Sequence, residues 1–125
     1  MARLLVVDDE RDIRHLYAAE LSDEGYKVET AGTGSEAAAL LEGQAFDLVV
    51  LDIQMKGESG LQVLQKIVKE RSDLPVVLCT AFSCYKDDFS SWLADAYVVK
   101  SSDLTELKGE IRRLLEKKES SLRRP

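Results

Sequence analysis

Leu48-Val49-Val50-Leu51-Asp52 is the stretch that decides the fold: four apolar residues with no polar alternate, then a carboxylate. A strand with one wet face alternates polar with apolar. An unbroken run therefore reads as a strand covered on both faces, which is the environment of a parallel sheet. The same signature recurs on either side, in Leu4-Leu5-Val6-Val7, Val76-Val77-Leu78-Cys79 and Ala96-Tyr97-Val98-Val99. Tyr26-Lys27-Val28-Glu29-Thr30 does alternate, and suits a sheet edge.

Helical spacing fills the intervals. Ile13, Leu16, Tyr17 and Leu21 form one stripe; Ala37, Ala38, Leu40 and Leu41 form a second, behind Ser35 as N-cap and Glu36 in the first turn. Leu61, Leu64, Ile67 and Val68 make a third, and Phe82, Tyr85, Phe89, Trp92 and Leu93 an aromatic fourth. Leu104, Leu107, Ile111, Leu114 and Leu115 make the last, with Asp103 and Glu106 spaced as a capping pair. Strand followed by helix, repeated to the end, predicts a three-layer α/β domain with right-handed crossovers. Residues 1–118 read as one domain and 119–125 as a short frayed tail.

Composition narrows the function. A net charge of −6 argues against a nucleic-acid footprint, which needs a basic face. No apolar stretch approaches the roughly 20 residues that span a bilayer, and the first residues lack the shape of an export signal. The expectation is a cytoplasmic protein without membrane contact. Cys79, Cys84 and His15 are too few for a four-ligand zinc site, and without export the cysteines are expected to be free thiols.

Open α/β sheets bind ligands at the carboxyl ends of their strands. Asp8, Asp9 and Glu10 follow the first apolar run, Asp52 the third strand in sequence, Thr80 the fourth and Lys100 the fifth. Each has a plainer reading. Asp8 or Asp9 could cap a helix, Asp52 could start a turn, Thr80 could serve β propensity and Lys100 could be a solvated strand end. All the ends carrying this chemistry together outweighs those readings. Clustered carboxylates repel one another unless a cation joins them, and an all-oxygen set suits Mg²⁺. A lysine and a hydroxyl beside it would hold phosphoryl oxygens. Asp52 then reads as the nucleophile that forms an aspartyl phosphate.

The stretches Val6-Val7-Asp8-Asp9-Glu10, Leu51-Asp52-Ile53-Gln54-Met55, Cys79-Thr80-Ala81 and Tyr97-Val98-Val99-Lys100 resemble the response regulator receiver family of two-component signalling. The likeness covers nearly the whole chain. It implies a flavodoxin-like, doubly wound sheet of order 2-1-3-4-5 with five helices. It implies Asp52 as phosphoacceptor, Asp8, Asp9 and Asp52 as Mg²⁺ ligands with the backbone carbonyl of Gln54, Thr80 as switch hydroxyl, Tyr97 as rotating aromatic and Lys100 as the phosphate-binding lysine. The implied partners are a sensor histidine kinase or phosphotransfer protein and, through the face of helix 4, strand 5 and helix 5, a downstream protein, an effector domain or a second copy. Gln54 and Phe82 stand where the family places groups flanking the attacking water, and neither is a general base, so a long-lived phosphorylated state is expected. Ser101 replaces the family's usual proline, so the Lys100–Ser101 bond is expected to be trans.

Three other functions compete with this one. Gly32-Thr33-Gly34-Ser35-Glu36-Ala37 matches a dinucleotide-binding fingerprint, but it follows the second strand and no second mononucleotide half exists. An Mg²⁺-dependent aspartyl phosphatase generally needs a second acid where this chain has Gln54. A pseudo-receiver acting only as a binding module would not need the intact acidic set.

Overall fold

The computed structural model describes residues 2–81, 93–100 and 103–123. Its strands and helices are β1 (Arg3–Val7), α1 (Arg11–Asp23), β2 (Lys27–Ala31), α2 (Gly34–Gly43), β3 (Leu48–Leu51), β4 (Gln54–Met55), β5 (Glu58–Ser59), α3 (Gly60–Glu70), β6 (Val76–Thr80), β7 (Ala96–Val99) and α4 (Thr105–Arg123). The five-stranded sheet has the order β2-β1-β3-β6-β7, and every pairing in it is parallel. β4 and β5 form a separate antiparallel ribbon. Counted without that ribbon, the order is the expected 2-1-3-4-5.

Successive side chains on a strand face opposite sides of the sheet, so each apolar run feeds two cores. Leu5, Val7, Val49, Leu51, Val76 and Leu78 pack with Ala37 and Leu41 of α2 and Leu64 and Ile67 of α3. Leu4, Val6, Leu48, Val50, Val77 and Cys79 pack with Tyr17 and Leu21 of α1 and Leu107, Ile111 and Leu114 of α4. This is why β1, β3 and β6 carry no polar alternates, whereas edge strand β2 alternates exposed with sheltered residues. The register sets Val7 opposite both Ala31 and Leu51, Leu51 opposite Leu78, and Thr80 opposite Val99. The strand ends that carry the polar residues therefore meet along one rim.

Several local expectations change. The N-cap of α2 is Thr33 rather than Ser35; its hydroxyl accepts the Glu36 N–H. Leu16 is 45 % exposed and does not join the buried stripe of Tyr17 and Leu21. The last helix continues to Arg123, where a frayed tail was expected from 119. Asp103 does cap its start, accepting from the Thr105 N–H at 2.9 Å. Of the aromatic fourth stripe, Phe82 to Trp92 lie outside the described residues, as does the Lys100–Ser101 bond; Leu93 is exposed. Four of the five expected helices stand among the described residues, and the expected fourth falls outside them.

Candidate functional site

The rim is assembled by main-chain bonds before any side chain acts. The Asp8 N–H donates to the Ala31 carbonyl at 3.1 Å, and the Asp52 N–H donates to the Val7 carbonyl at 2.9 Å. The Lys100 N–H donates to the Thr80 carbonyl at 2.5 Å. Each bond extends a parallel ladder by one residue past the apolar run, and so fixes where a polar side chain begins.

Asp8, Asp52 and Thr80 are all buried. One carboxylate oxygen from each of Asp8, Asp9 and Asp52 lies within 4.8 Å of the others. Lys100 Nζ lies 2.6 Å from Asp8 Oδ2 and 3.5 Å from Asp52 Oδ1. Burial works against the Lys100 ammonium, but the hydrogen bond to Asp8 and the charges of Asp52 and Asp8 outweigh it and raise its pKa. Among the described residues, the ion pairs of Lys100 with Asp8 and Asp52 leave an excess of negative charge on the three carboxylates. The donor set is all oxygen, partly buried and open at Asp9, which fits a hard divalent cation.

Beside the strand ends stands the β4–β5 ribbon, which the periodicity did not announce. Gln54 pairs with Ser59, and Gly57, at φ +75°, makes the turn. The ribbon is tied down at several points. The Lys56 N–H donates to Asp9 Oδ2 at 2.8 Å, the Gly34 N–H to Glu58 Oε1 at 2.5 Å, and the Gly60 N–H to the Ile53 carbonyl at 2.6 Å. A Cβ on Gly60 would collide with the Asp52 carbonyl oxygen and come within 2.7 Å of Ile53 Cα. Only glycine lets α3 start so close to the strand end that carries Asp52.

The same bonds dispose of the dinucleotide reading. At the start of α2 the Gly34 N–H is taken by Glu58, the Gly32 N–H by Glu36 and the Glu36 N–H by Thr33. The amides that would cradle a pyrophosphate already serve two carboxylates and a hydroxyl of the chain itself.

Tyr97, half-buried on β7 opposite Leu78, packs against the core shared with α2 and α3. Next to Thr80, the Cys79 thiol lies 3.4 Å from the Tyr17 hydroxyl in the opposite core. Burial pushes the thiol up to about 11 and the Tyr17 phenol up as well. Sequence reasoning thus located the strand-end residues. It missed Glu58 and Arg14, whose signal was two glycines, Gly34 and Gly32, that leave room for them.

A parallel flavodoxin-like sheet whose carboxyl rim gathers three carboxylates and a lysine defines a class of small acidic switch domain. The response regulator receiver domain model matches residues 4–112, and the chain belongs to that family. A probable transcriptional regulator from Cyanophora paradoxa is 40 % identical over 120 residues, covering 94 % of this chain and 50 % of that protein. The probable transcriptional regulatory protein TcrX of Mycobacterium tuberculosis is 40 % identical over 114 residues, covering 90 % and 49 %. The chain spans about half the length of the curated relatives it matches. Among solved structures, the response regulator TrrA of Thermotoga maritima in complex with Mg²⁺ and beryllofluoride is 49 % identical with a TM-score of 0.88, covering 91 % of this chain and 99 % of that one. TrrA with the histidine kinase ThkA gives 50 % identity and a TM-score of 0.87, covering 92 % and 99 %.

Proposed function

We propose that the chain accepts a phosphoryl group on Asp52 from the phosphohistidine of a sensor kinase or phosphotransfer protein. The observation that carries this reading is Lys100 Nζ, held between Asp8 and Asp52 at 2.6 and 3.5 Å. A carboxylate oxygen of Asp52 attacks phosphorus as the bond to the imidazole nitrogen breaks, and that nitrogen keeps the electron pair. The Lys100 ammonium offsets the charge on the phosphoryl oxygens. Mg²⁺, held by Asp8, Asp9, Asp52 and the backbone carbonyl of Gln54, would neutralise charge on the same oxygens. Thr80 would turn toward the new phosphoryl group, and Tyr97 would move into the space released.

Support for the kinase partner comes from the TrrA–ThkA complex, and for the ion from the Mg²⁺–beryllofluoride complex of TrrA. The output face would include β7 and α4; Val99 at the end of β7 is 37 % exposed, and Leu93, just before β7, is 47 % exposed. A downstream protein, an effector domain or a second copy would dock on it. The matched relatives are transcriptional regulators; the acidic balance of this chain, −6, supports a switch that reaches nucleic acid only through another module. We place the switching unit at residues 1–118, outside the last turn of α4, and the protein in the cytoplasm. Among the described residues, no helix is long and apolar enough to cross a membrane.

Incubation with phosphoramidate and Mg²⁺ should add one phosphoryl group to the wild type and none to Asp52→Asn, read by intact-protein mass spectrometry. Equal labelling of both would remove Asp52 from the role. Steady turnover of phosphomonoesters would instead favour the phosphatase.

A further inference from the structure

Arg14 is an arginine in the first turn of α1 that the phosphoryl chemistry does not use. Its backbone N–H donates to the Glu10 carbonyl at 3.0 Å, the bond that opens α1, and a helical side chain leans toward the helix N-terminus, here toward the strand ends. There Nη1 donates to the backbone carbonyl of Asp8 at 2.7 Å. The guanidinium lies against Gly32 at the end of β2. A Cβ built on Gly32 would stand 3.0 Å from Nη1, 3.4 Å from Cζ and 3.7 Å from Nη2, with no other group among its three nearest neighbours. The glycine is thus the floor on which the guanidinium rests.

The Asp8 carbonyl belongs to the peptide that joins Asp8 to Asp9. Four more polar groups of this turn are also held. The Asp8 N–H is bound to Ala31, Oδ1 accepts from the Glu10 N–H at 2.9 Å, Oδ2 faces Lys100, and Asp9 Oδ2 accepts from the Lys56 N–H. Rotation of the Asp8–Asp9 peptide would re-aim the Asp9 carboxylate, and Arg14 holds the carbonyl oxygen of that peptide.

We propose that Arg14, seated on Gly32, is a positioning residue that aims Asp9 at the cation; this rests on the metal-site reading above. The charge of Arg14 taken alone would act the other way, since a nearby cation repels Mg²⁺. The sign of the effect on affinity therefore separates positioning from Coulombic repulsion. Arginine suits the task better than lysine because a planar guanidinium can lie flat on a backbone and still donate along its edge.

The test is Mg²⁺ affinity by amide NMR titration for wild type, Arg14→Ala, Arg14→Lys, Gly32→Val and the Arg14→Ala/Gly32→Val double variant, with Asp9→Ala as the control for the site. Groups that orient metal ligands change affinity by roughly 10–100-fold when removed, so Arg14→Ala is expected to weaken Mg²⁺ by about tenfold. Arg14→Lys and Gly32→Val keep the net charge and should each weaken it, by about threefold, as partial losses of the same alignment. Gly32→Val should add nothing once Arg14 is gone, because its effect passes through the guanidinium. Phosphorylation by phosphoramidate should return to the wild-type rate at saturating Mg²⁺ in all three single variants at positions 14 and 32. Tighter Mg²⁺ binding in Arg14→Ala, or wild-type affinity in Arg14→Lys and Gly32→Val, would overturn the positioning role while a weakened Asp9→Ala leaves the site intact. An unchanged Asp9→Ala would overturn the metal site and this role with it.

Discussion

The two sides of the acidic rim are built by different means. Asp8, Asp52, Thr80 and Lys100 sit on or one residue past strands whose register is locked by the sheet. The Gln54–Ser59 ribbon reaches the same place outside the main sheet, tied by single bonds to Asp9, Gly34 and Ile53. Strand ends inherit their position from tens of packed residues. The ribbon depends on one buried side chain, Met55, and a few hydrogen bonds, each worth about 1 kcal/mol or somewhat more when a charge takes part. Strain at the strand ends should therefore appear as lost folding stability, and damage to the ribbon as lost alignment in a protein that remains folded.

Lys100→Ala should give the largest effect on stability. It leaves Asp8 buried beside Asp52 without its ammonium, and breaking a buried pair in this way costs roughly 3 kcal/mol. Urea denaturation without Mg²⁺ should show the loss, and added Mg²⁺ should return part of it by replacing the missing cation. A loss below about 0.5 kcal/mol would mean that the pair behaves as a surface bridge. The pH dependence has a definite sign. The Lys100 pKa is raised in the fold above its ordinary 10.5, so its stabilisation is complete below that value and is lost as pH rises through the higher native pKa. Lys100→Ala should lack this alkaline component of the stability curve.

Gly60→Ala comes next. The added methyl meets backbone on both sides, at Asp52 and Ile53, and backbone there cannot retreat without moving β3. Overpacking of this kind costs about 1–3 kcal/mol, and the thermal midpoint should fall accordingly. Glu58→Gln should cost about 1 kcal/mol, because the amide can still accept from Gly34 but no longer places a negative charge at the positive end of α2. Its Mg²⁺ affinity should fall although the far-ultraviolet circular dichroism does not change. If Glu58→Gln instead unfolds the protein, the ribbon is as much a part of the core as the strand ends are.

The smallest effect concerns Cys79. In a Cys84→Ser background the Cys79 thiol, buried and raised to about 11, should react with an aromatic disulfide at pH 8 only as fast as the domain opens. Rapid labelling would show that the strand end at Thr80 breathes more than β1 and β3 do.

The strand ends were legible because a run such as Leu48–Leu51 can only be buried on both faces, and the first residue that cannot be buried without a partner marks its end. The fifth helical stripe was legible for the same reason: Leu104, Leu107, Ile111 and Leu114 are all buried. Leu16 misled because apolar spacing does not say which residue of a stripe faces out. Ser35 misled because cap preference ranks serine above threonine, and only the turn after Ala31 decides between Thr33 and Ser35.

The amino-acid sequence by itself determined the three-layer class and the carboxylates, hydroxyl and lysine on the rim, since both follow from local patterns one strand long. Tertiary structure alone decided that Lys100 reaches Asp8 across 92 positions of chain, that Glu58 closes the start of α2, and that Arg14 rests on Gly32. Those contacts join residues whose sequence neighbours carry no mark of the pairing. They exist because parallel strands bring distant segments to one edge, and the small volume left at a few glycines determines which side chain can enter.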